Sequence, residues 1–108
     1  MSCLFCDIAA GRAAANLVYE DEHIIAFHTI RPRAKVHVLV IPRKHIASLA
    51  ELVPEDGALI GHLTVKLKEI AVLLGLDDGF KTQINTGRAG GQEIPHIHYH
   101  LMSGRTSE

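Results

Sequence analysis

His96-Ile97-His98-Tyr99-His100-Leu101-Met102 alternates imidazole with apolar side chains. In an extended strand successive side chains point to opposite faces. The three imidazoles then share one face, and Ile97, Tyr99 and Leu101 share the other. A chain of 108 residues has little structural use for a row of three imidazoles. The row predicts chemistry near neutral pH, where imidazole titrates.

Upstream of this strand, Thr86-Gly87-Arg88-Ala89-Gly90-Gly91-Gln92 reads as a loop, and Phe80 to Asn85 as a strand leading into it. Before that, Leu59, Leu63, Leu67, Ile70 and Leu74 recur at spacings of three and four, the apolar stripe of a helix that begins after Pro54 and ends before Gly75. Lys66, Lys68 and Glu69 fall on its solvated side. Glu55 and Asp56 suit the positive end of the helix, and Gly75 suits a left-handed cap. Further upstream, His37-Val38-Leu39-Val40-Ile41 is a strand rich in β-branched residues and ended by Pro42. Leu17 to Glu20 and Ile24 to His28 read as two short strands joined by Asp21-Glu22-His23. Leu4 to Ala10 predicts a short helix stopped by Gly11. No regular βα alternation appears. The order predicts an α+β fold in one domain over residues 1–108, with a mainly antiparallel sheet of about five strands, one long helix and a short N-terminal helix. One long helix leaves a sheet face short of cover, so a homodimer is expected.

Apolar residues make up 47% and charged residues 21%, which is ordinary for a globular protein. A net charge of −1 argues against a nucleic-acid groove, which needs a basic excess. No apolar run approaches the ~18 residues of a membrane span. The N-terminal residues lack the basic and apolar regions of a signal peptide, so a cytoplasmic location is expected. In a reducing compartment Cys3 and Cys6 are not expected to form a structural disulfide. Their Cys-x-x-Cys spacing suits a zinc site or a pair of free thiols; with two residues before Cys3, a thioredoxin-like βαβ context is lacking.

The histidine row itself has three readings: unrelated histidines, a metal site, or nucleophilic and acid–base catalysis on a phosphate. The preceding loop favours the last. Gly87, Gly90 and Gly91 allow backbone N–H groups to turn toward an anion, and the loop feeds directly into His96. A hydrolytic metal site would add a carboxylate, for which Glu93 is the one nearby candidate.

Phe27-His28-x-Ile30, His37 within a Val-Ile-Pro strand, Asn85-Thr86-Gly87, Gly90-Gly91-Gln92, and His96-x-His98-x-His100 followed by Gly104-Arg105 resemble the histidine triad (HIT) family. The likeness runs from Phe5 to Arg105 and is strongest to the Hint-like branch of purine nucleoside phosphoramidases. The resemblance implies a hydrolase or transferase acting on the α-phosphate of a nucleotide conjugate. It implies that His98 is the nucleophile, forming a nucleotidyl-histidine that water cleaves, and that His100 steadies charge and protonates the leaving group. By the same likeness His37 supports the triad through a bond to His96, and Asn85 with the Gly91, Gln92 and Glu93 backbone holds phosphate oxygens. Phe5, Ile8, Phe27, His28, Thr29 and Ile30 would form the purine and ribose pocket.

Relatives with an N-terminal Cys-x-x-Cys imply one structural zinc, here on Cys3, Cys6, His45 and His96, with no metal needed for catalysis. A closed set of two thiolates and two imidazoles leaves no open position. His96 then cannot offer the same lone pair to His37. The chain also departs from the family pattern. Thr29 stands where Asp often accepts bonds from the ribose hydroxyls, and a hydroxyl is a weaker acceptor, so weaker ribose recognition is expected. Pro95 replaces a frequent aromatic, and only Thr106, Ser107 and Glu108 follow Arg105. Competing expectations are a dinucleoside polyphosphate hydrolase, a nucleotide-binding protein with incidental catalysis, and a metal-dependent enzyme using all three triad histidines.

Overall fold

The computed structural model describes residues 3–104. Arg105 and the tail after it lie outside the described residues. The chain order is α1 (Leu4–Ala9), β1 (Leu17–Glu20), β2 (Ile24–His28), β3 (Val36–Pro42), α2 (Gly57–Leu73), β4 (Lys81–Ile84) and β5 (Tyr99–Ser103). The five strands form one sheet in the order β1-β2-β3-β5-β4, and every neighbouring pair is antiparallel. The α+β reading therefore holds.

Alternation along the strands divides the core in two. Ile24, Ala26, Val38, Val40, Tyr99 and Leu101 point to one face and pack with Leu63, Leu67 and Ile70 of α2. These helix positions are the middle of the apolar stripe, and Leu59 and Leu74 at its ends are half-buried. Ile25, Phe27, Leu39 and Ile41 point to the other face, where Phe5 and Ile8 of α1 cover them. The second face is thus partly roofed by the short N-terminal helix. Fully burying a Leu or Ile side chain contributes about 1.5–3 kcal/mol, so each cluster draws on several such terms.

Local chemistry sets the element ends. The predicted long helix opens with a 3₁₀ turn, Pro54–Asp56, before α2 begins at Gly57. Asp56 is only 4% exposed; it accepts the Val53 N–H at 3.2 Å and an ion pair from Lys44 at 2.6 Å. Lys44 Nζ, then the Val53 N–H, hold its carboxyl below the usual range despite burial. Helix α2 stops in a Schellman arrangement: Leu76 N–H donates to Ala71 and Gly75 N–H to Val72, with Gly75 at φ +73°. At the β1–β2 turn Asp21 accepts the N–H groups of His23 and Ile24 and the side chains of Tyr19 and His62. Burial works against ionisation of Asp21, yet these donors keep its carboxyl well below the usual range.

The strand that carries the triad is shorter than predicted. β5 begins at Tyr99, so His96 and His98 lie in the run-in rather than in the ladder. Pro95 has no N–H to give, His96 N–H turns back to the Ile94 carbonyl, and Ile97 N–H bonds the Ile46 carbonyl outside the sheet. Strand β4 is one residue shorter at each end than Phe80 to Asn85, and β3 is one residue longer at each end than His37 to Ile41.

Candidate functional site

His98 and His100 come together ring to ring, while His96 turns to the N-terminal thiols, and each of the three is held by a different partner. His98 is 7% exposed, and its Nδ1–H donates to the His96 carbonyl at 2.8 Å. That bond fixes the tautomer and leaves the lone pair on Nε2. Nε2 has no hydrogen-bond partner among the described residues and is not fully buried. The Phe5 ring stands edge-on to His98 at 5.1 Å between centroids and limits its swing.

His100 lies 5.1 Å from His98, ring to ring. Its Nδ1 sits 2.8 Å from His37 Nε2. The Arg33 main-chain N–H donates to His37 Nδ1 at 3.0 Å, which makes that nitrogen the acceptor. His37 therefore donates through Nε2–H to His100 Nδ1, and His100 presents Nε2 outward. Arg33 Nη2 also reaches His100 Nδ1 at 3.4 Å. Burial pushes the His100 pKa down to about 4, with help from His98, His37 and Arg33. Burial, then Arg33, also lowers that of His37.

This corrects the expected partner of His37: it bonds His100, the third histidine, and not His96. Register is the reason. His37 pairs with Met102 and Leu39 with His100, so His37 and His100 are diagonal neighbours on one sheet face. Arg33 carried no spacing signal. Its trace in the sequence is a basic run, Arg31, Arg33 and Lys35, on the loop between β2 and β3.

His96 has a different environment. It is fully buried, its Nε2–H donates to the Pro42 carbonyl at 2.8 Å, and its Nδ1 faces both thiols and His45. His96 Nδ1 lies 3.5 Å from Cys3 Sγ, 3.5 Å from Cys6 Sγ and 3.2 Å from His45 Nδ1; Cys6 Sγ lies 3.1 Å from His45 Nδ1. All four donor atoms lie within 4.8 Å of one another. Tetrahedral zinc bonds of about 2.0–2.3 Å put its ligand atoms roughly 3.3–3.8 Å apart. The donor set and its spacing fit zinc, and the Pro42 bond supplies the outer partner that orients a ligating imidazole. Burial, then Cys3, pushes the Cys6 thiol up, and a bound cation would oppose that. The conflict over His96 disappears, because His37 makes no demand on it.

The glycine loop is closed on itself. A side chain at Gly90 would put its Cβ 2.3 Å from the Thr86 carbonyl oxygen, so only glycine fits there. Asn85 Nδ2 donates to the Gly90 carbonyl at 2.7 Å. Gln92 accepts the Gly87 N–H and donates to the carbonyls of Ala47 and Ile94. The N–H groups of Gly91 and Gln92 donate to Arg88 and Gly87 within the loop. Of the three expected backbone donors, only that of Glu93 has no main-chain acceptor among the described residues.

The expected base pocket is split. Phe5, Ile8 and Phe27 are buried in the second core, with the Phe5 and Phe27 rings 5.5 Å apart. His28 and Thr29 are half-buried, and Ile30 is 91% exposed. The Thr29 hydroxyl accepts the Arg31 N–H at 3.2 Å. A cleft of about 450 Å³ lies between α1 and the β1–β2 hairpin; Ile8 borders it, and none of the triad histidines does.

Three alternating imidazoles on β5 and its run-in, following a closed glycine loop, with the middle ring open at its outer nitrogen, define a histidine triad protein. The HIT domain profile matches residues 10–107, and the chain belongs to the HIT family. Protein HitA of Neisseria gonorrhoeae is 50% identical over 101 residues, 94% of each chain. A HIT family hydrolase from Legionella pneumophila Philadelphia 1 is similar in structure, with a TM-score of 0.93 at 42% identity, over 99% of this chain and 96% of that one. A Zn-bound histidine triad family protein from Mycobacterium smegmatis is also similar, with a TM-score of 0.82 at 38% identity, over 100% of this chain and 78% of that one.

Proposed function

We propose that the protein is a nucleotidyl hydrolase of the Hint-like kind, cleaving nucleoside 5′-phosphoramidates through a nucleotidyl-histidine. The observation that carries this is His98, whose Nδ1–H is tied to a carbonyl while Nε2 stays open. His98 Nε2 attacks phosphorus, and the bond from phosphorus to the leaving nitrogen breaks. The electron pair leaves with the amine, which takes a proton from protonated His100. Water then attacks phosphorus, gives its proton to His100, and the pair of the phosphorus–His98 bond returns to the ring. His100 begins and ends the cycle protonated. Burial holds its pKa down to about 4, so the anionic phosphate of a bound substrate would draw the proton to Nδ1, and His37 would then turn to its other tautomer, accepting the His100 Nδ1–H at Nε2 and releasing the Arg33 N–H. His37 holds the His100 ring by its Nδ1 edge.

The Glu93 N–H, which has no main-chain acceptor among the described residues, would take a phosphate oxygen, and half-buried His28 and Thr29 at the end of β2 would take the sugar. The metal-dependent alternative needs three triad ligands, and His96 turns its free lone pair to the thiols instead. Cys3, Cys6, His45 and His96 would hold one zinc, which ties the N-terminal segment to the triad. The zinc supplies structure only.

A homodimer belongs to the same reading. Val65, Val72 and Leu73 stand exposed on α2, and β4 is a free edge of the sheet. An identical strand can pair such an edge about a two-fold axis. Light scattering is expected to give twice the chain mass, and a monomer at micromolar concentration would remove the dimer.

The catalytic reading is tested by quenching a reaction with adenosine 5′-phosphoramidate and weighing the protein. An adduct of one adenylyl group on the peptide holding His98 is expected. Turnover with that adduct absent in rapid-quench samples, and absent again in a slow-hydrolysing substrate, would overturn it.

A further inference from the structure

We propose that Arg33 determines leaving-group specificity, favouring conjugates whose departing amine carries its own anionic oxygen, a carboxylate or a phosphonate-type group, beside the scissile atom. This rests on the catalytic reading above and goes beyond it, to the side of the site that faces the departing fragment.

The argument begins with charge. No Asp or Glu occurs between Glu22 and Glu51. Five cations fall in that interval. Arg43 and Lys44 find carboxylates, Glu20 and Asp56. Arg31, Arg33 and Lys35 are exposed and have no carboxylate partner among the described residues. Such a run is commonly just a solvated face. Arg33 differs because its guanidinium leans on His100, 3.4 Å from Nδ1, while its main-chain N–H braces His37.

His100 is the group that meets the leaving atom, and it does so through Nε2 on the far side of the same ring. Arg33 stands at the Nδ1 edge and the leaving atom at the Nε2 edge of one small ring, so an acid carried beyond the scissile nitrogen and folded back along that ring meets the exposed guanidinium. The guanidinium offers a carboxylate or phosphonate a forked donor. A neutral or cationic group at that position gains nothing or is repelled. Bond-making and bond-breaking are unchanged: the phosphorus–nitrogen bond breaks, and the amine leaves with its electron pair and the His100 proton.

Side chain and main chain can be separated, because substitution at Arg33 keeps the N–H that braces His37. Three matched adenosine 5′-phosphoramidates serve as substrates, built on glycine, glycinamide and aminomethylphosphonate. The wild-type kcat/KM is expected to favour at least one acidic substrate over glycinamide by roughly two- to fivefold, the scale of an exposed ion pair. The acid in front identifies the preferred group. In Arg33→Gln the ratio is expected to fall to about one, and Arg33→Lys to recover part of it. A general structural role for Arg33 would lower all three rates together and leave the ratio alone. An acid-to-amide ratio that is the same in wild type and Arg33→Gln overturns the proposal while the catalytic reading stands. Failure of the wild type to cleave any of the three overturns both.

Discussion

His96 and His100 are the same residue type, four positions apart on one run of chain, and they live in opposite circumstances. Both nitrogens of His96 are committed, one to the Pro42 carbonyl and the other to the thiols and His45. His100 is engaged at Nδ1 alone, by His37 and Arg33. Neither spacing nor residue type separates an anchor from an acid. What each ring nitrogen faces does. His98, between them, shares the pattern of His100, with Nδ1 tied and Nε2 open, but its tie is to a main-chain carbonyl rather than to another side chain.

The contrast predicts a graded set of effects. The largest belongs to the open nitrogen. His98→Ala is expected to lower phosphoramidate turnover by about 10⁴-fold or more with folding intact; a variant retaining a tenth of the wild-type rate would remove His98 as nucleophile. His100→Ala is expected to lower kcat by about 10²–10³-fold, the range of general acid catalysis, with metal content unchanged. Equal loss of metal there would erase the distinction between the two ends.

At the other end the order reverses. Purified protein is expected to carry one zinc per chain, and Cys3→Ser to lose most of it. Stability should fall by at least about 2 kcal/mol, or roughly 8 °C in Tm, with turnover of the folded fraction changing less than about tenfold. Unchanged zinc in Cys3→Ser would dismantle the four-ligand cluster.

The smallest effect is with pH. The depressed His100 pKa means that folding holds this imidazole neutral. Its contribution to stability is complete above the unfolded value near 6.5 and is lost as pH falls toward about 4. Tm should therefore drop over that interval, and less steeply in His100→Gln. Parallel slopes for the two proteins would mean that another group, such as His37, carries the dependence.

The sheet and the long helix were legible because their signals are periodic. Leu63, Leu67 and Ile70 announce a buried helix face, and the strands announce themselves by alternation. The partner of His37 was not legible, because strand register lies in no single segment: pairing Leu39 with His100 sets which imidazoles meet. The start of β5 is hidden in the sequence for a related reason, since alternation continues through His96 and His98 while the ladder does not. The four candidate metal donors are spread from Cys3 to His96, and only the family likeness joins them ahead of the fold. Arg33 acts through a main-chain N–H and the end of a flexible side chain, and neither leaves a pattern.

One residue joins the two ends of this comparison. The His96 ring belongs to the donor cluster, and the His96 carbonyl is what His98 Nδ1–H bonds. Docking of the N-terminal segment and the orientation of the His98 ring are therefore mechanically linked across two residues. Loosening Cys3 or Cys6 would be felt first as a small slackening of the bond that orients the His98 ring, before the sheet itself gave way.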